Sequence, residues 1–165
     1  MISRFLNKNF YIDFSIVILV YFIDRLTKMF VIQLDKNNLG SDIFNSTYLN
    51  IVLIWNKGIA FGLLSFNEDY LYDILSIIIA MIVVVLVIMS IKSQGFKRYS
   101  LLMVIGGALG NLHDRIFFKA VPDFIDFHIG SFHWFIFNVS DIFITFGIIF
   151  LIVLEISSNK EEKYE

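Results

Sequence analysis

The stretch IIIAMIVVVL, residues 77–86, lies at the centre of an apolar run from Leu71 to Ile91 and decides the fold. A helix needs about 20 apolar residues to cross the hydrocarbon core of a bilayer, and this run carries no charge from Ile74 onward. The composition agrees, because 58% of the 165 residues are hydrophobic, 17% are charged and the mean hydropathy is +0.76. A soluble domain is about half apolar and a quarter charged. The chain is therefore predicted to be an integral membrane protein.

Apolar segments on either side of this run bring the predicted transmembrane helices to four. The first follows Arg4 and Lys8 and resembles a secretory signal. No small-x-small cleavage site follows it, so we expect it to be retained. The third contains Gly106, Gly107 and Gly110, which let helices approach closely in lipid. The chain is predicted to be an all-α polytopic protein with one membrane domain, residues 1–165, and spans at about 10–32, 71–91, 99–118 and 137–156.

Basic residues predict the orientation of these helices. The short loop Lys92–Arg98 carries three positive charges and no acid, and such loops remain in the cytoplasm by the positive-inside rule. Both termini are then cytoplasmic. The segments 33–70 and 117–136 face the opposite, outer side of the membrane.

The outer segment 33–70 is predicted to contain β-structure. Its part Tyr48–Trp55 is rich in β-branched and aromatic residues and ends at the turn signal Asn56-Lys57-Gly58. We expect strands on the outer membrane surface. Aromatic side chains of this segment suit the interface between headgroups and hydrocarbon, namely Tyr48, Trp55, Phe61 and Phe66.

Several kinds of chemistry are excluded or disfavoured. The chain has no cysteine, and therefore no disulfide framework, thiol nucleophile or cysteine-based metal site. The histidines lack a His-Glu-x-x-His pattern, so no metal ligand is predicted among His113, His128 and His133, and no cofactor is expected. A Ser–Lys peptidase is disfavoured because Ser140 adjoins Asp141 and no other serine has a suitable lysine. No basic tract suggests a nucleic acid partner.

The informative residues are ionisable groups in or beside the predicted spans, because each is costly to insert into a membrane. They gather near the outer interface: Asp24, Arg25, Asp114, Arg115, Asp123, Asp126 and Asp141. Two carboxylates in a partly dry site share one proton, so that one can activate water while the other hydrogen-bonds a scissile carbonyl. An aspartyl hydrolase is therefore possible. Spacing allows Asp123 and Asp141 to meet, but it allows the same for Asp126 or Asp114.

Motifs along the chain resolve this choice by resemblance. Residues 106–115 (GGALGNLHDR), 121–127 (VPDFIDF) and 137–141 (FNVSD) resemble the Gly-rich Gly-Asn-x-x-Asp-Arg, Val-x-Asp-Phe-Ile and Phe-Asn-x-Ala-Asp motifs of the lipoprotein signal peptidases, the signal peptidase II family. Residues 24–28 (DRLTK) and 56–62 (NKGIAFG) are similar to that family's Asp-x-x-Thr-Lys and Asn-x-Gly-x-Ala-Phe-Gly motifs. The ordered set covers nearly the whole chain.

The resemblance implies a membrane aspartyl endopeptidase of the bacterial inner membrane, with its active site toward the outer, periplasmic face. It implies cleavage of lipidated prolipoproteins just before the diacylglyceryl-modified cysteine, by a monomer in contact with membrane lipids. Asp123 and Asp141 would be the catalytic aspartates. The residues expected to bind substrate or border the site are Asn56, Gly58, Asn111, Arg115, Asn138 and Asp24.

Some of these residues have a second interpretation. Asn56, Asn111 and Asn138 are either interhelical hydrogen-bond partners or holders of the substrate backbone. Arg115 is expected to hold a lipid or backbone oxygen of the substrate, because its guanidinium is a fork of donors. Asp24 is expected to orient the outer strands or to lie at the rim of the site.

The remaining acids have structural interpretations. Asp114 is expected to form an ion pair with Arg115 at a helix end, and Asp126 to be a structural or solvent-facing neighbour. Two departures from the family pattern are Ser140 in place of alanine and Pro122 in place of valine. The Ser140 hydroxyl is expected to hydrogen-bond the adjacent carboxylate, and Pro122 to stiffen the approach to Asp123 by fixing its own φ.

Two alternative functions remain at this point. The first is a small transporter or channel subunit in which the outer acids form a cation or proton site. It is disfavoured because transporters place ionisable residues near the midplane and often show an inverted repeat. The second is an inactive homologue that binds lipoproteins as a scaffold.

Overall fold

A computed structural model of the chain describes residues 8–38, 43–58 and 69–161. Within these ranges the chain forms four helices and one antiparallel sheet. The sheet is built from two separate parts of the chain, one between the first and second helices and the other between the third and fourth. The elements, in chain order, are α1 (Lys8–Asn37), β1 (Phe44–Asn45), β2 (Leu49–Asn56), α2 (Asp69–Lys92), α3 (Gly95–Phe118), β3 (Val121–Ile129), β4 (Phe132–Phe137) and α4 (Val139–Glu161).

Of the described helices, three are long and apolar enough to cross a membrane: Tyr72–Lys92, Gly95–Phe118 and Val139–Ser157. The prediction of four spans is thus confirmed for three. Helix α1 has 30 residues, which is about 45 Å and long enough to span a bilayer. Its apolar sequence is interrupted by ionisable residues, among them Asp24, Arg25 and Lys28.

Helix α3 is the centre of the helical part, since it packs against α1, α2 and α4. The protein buries 56% of its span, against 11% for α2 and 17% for α4. Glycines permit this packing, as predicted. A Cβ on Gly107 would lie 2.6 Å from the Ser140 carbonyl oxygen, and one on Gly110 would lie 2.6 Å from Oδ2 of Asp24. Gly110 therefore lets α3 approach α1 and α4 together.

The sheet has the strand order β1-β2-β3-β4, with antiparallel neighbours throughout. The predicted strand Tyr48–Trp55 is confirmed with a shift of one residue. Confining β-structure to residues 33–70 was wrong, because the connection between α3 and α4 forms the β3–β4 hairpin. Gly130, at φ +61°, occupies its turn. Phe124, Asp126 and His128 alternate with Ile125 and Phe127 in the pattern typical of a strand.

The connection between α2 and α3 is shorter than predicted. Helix α2 ends at Lys92 and α3 begins at Gly95, so Lys97 and Arg98 lie in the first turn of α3 rather than in a loop. Arg98 forms an ion pair with Asp13 of α1. The predicted interfacial aromatics Tyr48 and Trp55 are exposed, whereas the other two predicted ones, Phe61 and Phe66, lie outside the described residues.

Candidate active site

The sheet and the helices bring Asp123 and Asp141 to one site. Asp123 is the third residue of β3 and Asp141 the third residue of α4. The β3–β4 hairpin returns the chain to the level of Asp123 just before α4 begins, because Ile125 pairs with Phe137. Both carboxylates are buried, with 3% and 8% of the residue surface exposed.

Asn138 links the two aspartates directly. Its Nδ2 donates to Asp123 Oδ1 at 2.6 Å, and its backbone N–H donates to Asp141 Oδ2 at 3.1 Å. The backbone N–H of Asp141 donates back to Asn138 Oδ1 at 3.2 Å. This reciprocal pair has the geometry of a capping box at the start of α4. The structure that begins the helix therefore also fixes the position of the Asp141 carboxylate.

Two further asparagines each donate to one of the aspartates. Asn56 Nδ2 donates to Asp123 Oδ2 at 2.8 Å, and Asn111 Nδ2 donates to Asp141 Oδ1 at 2.8 Å. Asn111 is thus an interhelical partner, one of its two expected roles, while Asn56 and Asn138 contact Asp123 on the sheet.

The amide orientation of each asparagine is set by a group that can only donate. These groups are the backbone N–H of Gly58 for Asn56, Nζ of Lys28 for Asn111 and the backbone N–H of Asp141 for Asn138. Each donor requires the amide oxygen, so each amide NH₂ faces a carboxylate. All four carboxylate oxygens of the two aspartates therefore accept a hydrogen bond.

Burial changes the acidity of Asp123. Loss of solvent, followed by the negative charge of Asp141, raises the pKa of Asp123 from 3.8 to about 6, against the hydrogen bonds from Asn56 and Asn138. Both causes disfavour the ionised form. Aspartyl hydrolysis needs a pair in which one carboxyl keeps its proton, and the raised pKa of Asp123 favours such a pair.

A cavity of about 320 Å³ opens beside the two aspartates. Its polar wall consists of the aspartates, Asn56, Asn111, Asn138 and Arg115. Its apolar wall extends between α2, α3 and α4 and is formed by Ile79, Ala108, Val121, Ile144 and Ile148, with Thr145 beside them. A second apolar groove of about 340 Å³, between β4 and α4, also reaches Asp141. The site thus combines a charged end with an apolar space beside the candidate spans of α2, α3 and α4.

Arg115 and Gly58 are brought to the same site. Arg115 Nη2 donates to the carbonyl oxygen of Gly58 at 3.2 Å, and Nη1 donates to that of Asn111 at 3.2 Å. Arg115 Nε is buried and has no hydrogen-bond partner among the described residues. Arg115 therefore fixes the end of the segment after β2 and keeps a donor near the cavity. Residues 59–62 of the motif that begins at Asn56 lie outside the described part of the chain.

Asp24 lies behind the site rather than at its rim. It is fully buried and forms an ion pair with Lys28, one helical turn further along α1, at 2.9 Å. Its Oδ1 accepts the backbone N–H of Ser140 at 3.0 Å, so it contacts α4 and not the outer strands. The Asp24 side chain points into the protein because a buried carboxylate needs a cation and hydrogen-bond donors, which Lys28 and Ser140 provide.

Asp114 does not form the predicted ion pair with Arg115. It pairs with Lys28 at 2.7 Å and with Arg25 at 2.6 Å, both on α1, because Asp114 lies on the side of α3 that packs against α1. The expected hydrogen bond from the Ser140 hydroxyl to Asp141 is also absent. Ser140 Oγ is buried without a partner among the described residues.

Asp126 lies apart from the cavity and is structural rather than solvent-facing. It is buried and hydrogen-bonds with Nδ1 of His133 at 2.9 Å and with Nδ2 of Asn50 at 3.2 Å. His128 stacks on His133, with ring centroids 4.9 Å apart, and His113 hydrogen-bonds with the Tyr21 hydroxyl. In the described ranges, no group of three or more His, Cys, Asp or Glu side chains is arranged to hold a metal ion.

Lys28 is the residue of this region to which sequence reasoning gave no role. It is fully buried between α1 and α3. The signal was present, because a lysine four residues after an aspartate in an apolar helix is expensive unless the two pair.

The chain is similar to known proteins over most of its length. A family model described as signal peptidase (SPase) II matches residues 16–157. A lipoprotein signal peptidase from Pelagibacter ubique (strain HTCC1062) is 44% identical over 158 residues, which cover 96% of this chain and 95% of that protein. One from Anaplasma phagocytophilum (strain HZ) is 40% identical over 142 residues, covering 84% and 88%.

Solved structures show the same fold. One of a bacterial membrane enzyme superposes with a TM-score of 0.74 at 30% sequence identity and covers 93% of this chain and 92% of that one. Another, also of a bacterial membrane enzyme, has a TM-score of 0.70 at 32% identity and covers 86% and 90%.

Proposed function

The chain belongs to the signal peptidase II family, and from that premise we propose that it removes the signal peptide of prolipoproteins with Asp123 and Asp141 as its catalytic pair. The single observation that carries the residue assignment is the bridge through Asn138, which hydrogen-bonds both buried carboxylates at the mouth of one cavity.

The proposed reaction uses one proton shared by the pair. Asp141, ionised, takes a proton from a water molecule whose oxygen attacks the scissile carbonyl carbon. Asp123 gives its proton to the carbonyl oxygen, a role that suits a carboxyl whose protonated form is favoured by burial, which raises its pKa. The tetrahedral intermediate collapses when Asp141 passes its proton to the leaving nitrogen and Asp123 takes one back from the hydroxyl.

The cavity supports the proposed substrate. A diacylglyceryl group has apolar chains and ester oxygens, and the cavity has an apolar wall between α2, α3 and α4 below a polar end. We propose that the lipid occupies this wall, which places the bond just before the modified cysteine beside the aspartates. Arg115, with its unpartnered Nε, would donate to an ester or backbone oxygen.

The membrane arrangement is proposed from the charges. Lys92, Lys97 and Arg98 gather at the end of the helical part opposite the aspartates, which supports a cytoplasmic location for that end. The protein would then cross the bacterial inner membrane four times, α1 included, as one domain with both termini cytoplasmic and the site outward. It would act as a monomer.

A peptide-cleavage assay tests the pair. Purified protein is incubated with a lipidated precursor peptide, and the shortened product is quantified for wild type, Asp123→Asn and Asp141→Asn. Each variant is expected to lose at least about 10³-fold in kcat while it remains folded, since both proton transfers are required. Asp126→Asn is the matched control, because it changes a buried acid of the same strand that does not line the cavity.

A wild-type rate in either dyad variant would refute the assignment. A wild-type protein that binds the lipidated peptide without shortening it would instead be an inactive scaffold. A loss of the same size in Asp126→Asn would show that disturbance of β3, and not loss of a catalytic group, reduces the rate.

A further inference from the structure

Lys28 connects the buried ion cluster to the candidate active site. Its Nζ lies 2.8 Å from Oδ1 of Asn111, 2.7 Å from Oδ2 of Asp114 and 2.9 Å from Oδ2 of Asp24. An ammonium group has three N–H donors and no acceptor. Lys28, at 0% exposure, therefore hydrogen-bonds with Asn111 and Asp114 and forms an ion pair with Asp24.

The first connection runs through Asn111. Since Lys28 can only donate, the atom of Asn111 that faces it is the amide oxygen, and the amide NH₂ must point the other way. It donates to Asp141 Oδ1 at 2.8 Å. Without Lys28, the Asn111 amide would lose the contact that prevents it from flipping. A flipped amide would present its oxygen to the Asp141 carboxylate, which is repulsive.

The second connection runs through Asp24. While Lys28 pairs with one oxygen of Asp24, the other accepts the backbone N–H of Ser140 at 3.0 Å. Ser140 precedes Asp141 in the first turn of α4. Gly110 makes this contact possible, because a side chain there would meet both Asp24 and Ser140. Lys28 thus acts on Asp141 from two sides, at the carboxylate and at the backbone.

We propose that Lys28 is a positioning residue for the cleavage reaction, which aligns Asp141 through Asn111 and holds the start of α4 through Asp24. The proposal rests on the proposed catalytic role of Asp141. A merely structural ion pair between α1 and α3 would need only Asp114 as a partner. The additional contact with Asn111, whose other end reaches a carboxylate oxygen of the dyad, is what assigns Lys28 to the reaction.

The charge of Lys28 acts on the pair as well. It lowers the pKa of Asp123 in opposition to burial. The titratable and charged groups around the dyad come from every packed element: Asp24, Arg25 and Lys28 of α1, Tyr72 of α2, Asp114 and Arg115 of α3, Asp123 of β3 and Asp141 of α4. Removal of the Lys28 charge makes ionisation of Asp123 harder, so the limb of the pH–rate profile that reports Asp123 should shift to higher pH.

In each test variant one buried cation and one buried anion are removed together. Lys28→Met and Lys28→Gln are each combined with Asp114→Asn, and Asp114→Asn alone is the reference. Met has no donor, whereas Gln keeps a neutral N–H donor for Asn111. The lipidated-peptide assay gives kcat, KM and the pH profile, and tryptophan fluorescence on heating reports folding.

The Met double variant is expected to lose about 10²-fold in kcat relative to Asp114→Asn, as misplacement of a catalytic group by about 1 Å does, with KM changed less than about threefold. The Gln double variant should recover part of kcat. Both should show the shifted pH profile. If the Met variant does not fold, the kcat and pH profile of the Gln variant test the proposal.

The proposal is overturned if folded Met or Gln double variants keep the kcat and the pH profile of Asp114→Asn. It is equally overturned if kcat falls only in proportion to the folded fraction while the pH profile stays unchanged. Asp141→Asn is measured in the same assay. If that variant remains active, the catalytic assignment itself has failed. If it is inactive while the Lys28 variants match the reference, only the inference about Lys28 has failed.

Discussion

Replacement of Asp123 by Asn should remove a pH-dependent loss of stability from the protein. The Asp123 carboxyl is 3% exposed, and burial and the Asp141 charge raise its pKa from 3.8 to about 6. Between these values the folded state holds a proton that the unfolded chain has released. Stability must therefore fall as the pH rises through this range.

The size of the effect follows from the shift. At about 1.4 kcal/mol per pKa unit, a rise from 3.8 to about 6 corresponds to about 3 kcal/mol. The stabilisation from the proton is complete below about pH 4 and is lost above about pH 6. An asparagine cannot ionise, so the variant should not show this part of the decline. Its unfolding free energy relative to wild type should therefore rise by up to about 3 kcal/mol between pH 4 and pH 8.

A constant cost accompanies the substitution. One oxygen of Asp123 becomes an NH₂ group that faces a donor, Nδ2 of Asn56 or of Asn138. Such a mismatch costs about 1–3 kcal/mol. This cost is the same at every pH. The titration of the Asp123 carboxyl is therefore measured by how the difference in unfolding free energy between variant and wild type changes with pH.

The measurement is reversible unfolding in detergent micelles by added sodium dodecyl sulfate, followed by tryptophan fluorescence at several pH values. Asp126→Asn is the baseline for loss of one buried carboxyl group on β3. The opposite outcome is a difference in unfolding free energy between Asp123→Asn and wild type that stays constant within about 0.5 kcal/mol from pH 4 to pH 8. That result would refute the reasoning that burial disfavours the ionised form of Asp123.

Two other changes have defined outcomes. Gly110→Ala places a methyl group within 2.6 Å of Oδ2 of Asp24 and should lower the unfolding free energy by about 1–3 kcal/mol; unchanged stability in the same titration would contradict the close packing of α3. Arg115→Lys removes the planar fork that reaches the Gly58 carbonyl and should raise KM at least about tenfold in the peptide assay with a smaller effect on kcat. A variant with wild-type KM would show that Arg115 does not hold substrate.

Some errors of the sequence interpretation have a common cause. Asp114 was assigned to Arg115, its neighbour in sequence, but it pairs with Lys28 and Arg25 across a helix interface. Asp24 was expected to orient the outer strands or to lie at the rim, and it instead forms an ion pair with Lys28. In each case the partner lies on a face that only the packing of α1 against α3 defines. A residue pattern gives the face of a helix but not the element that covers it.

The β3–β4 hairpin was missed for a different reason. Its sequence alternates as a strand does, but it lies between two predicted spans, and β-structure was predicted only for residues 33–70. Its pairing with β2 joins segments about 70 residues apart in the chain, as the register Asn50 with Asp126 shows. No local pattern encodes such a pairing.

The sequence by itself determined the class of the molecule, and it predicted which pair of aspartates is catalytic. The uninterrupted apolar run at residues 77–86 requires a membrane environment, because hydrophobic length is a local property. The ordered motifs selected Asp123 and Asp141, which burial and spacing alone had not separated from Asp114 and Asp126.

Only the tertiary structure decided how the site is held. It showed that Asn138 hydrogen-bonds with both aspartates. It also showed that a donor sets the orientation of each asparagine amide, as Lys28 does for Asn111. These contacts join α1, α3, β3 and α4. Hydrogen-bond direction and burial depend on atoms brought together from distant parts of the chain, so they come into existence only when the helices pack.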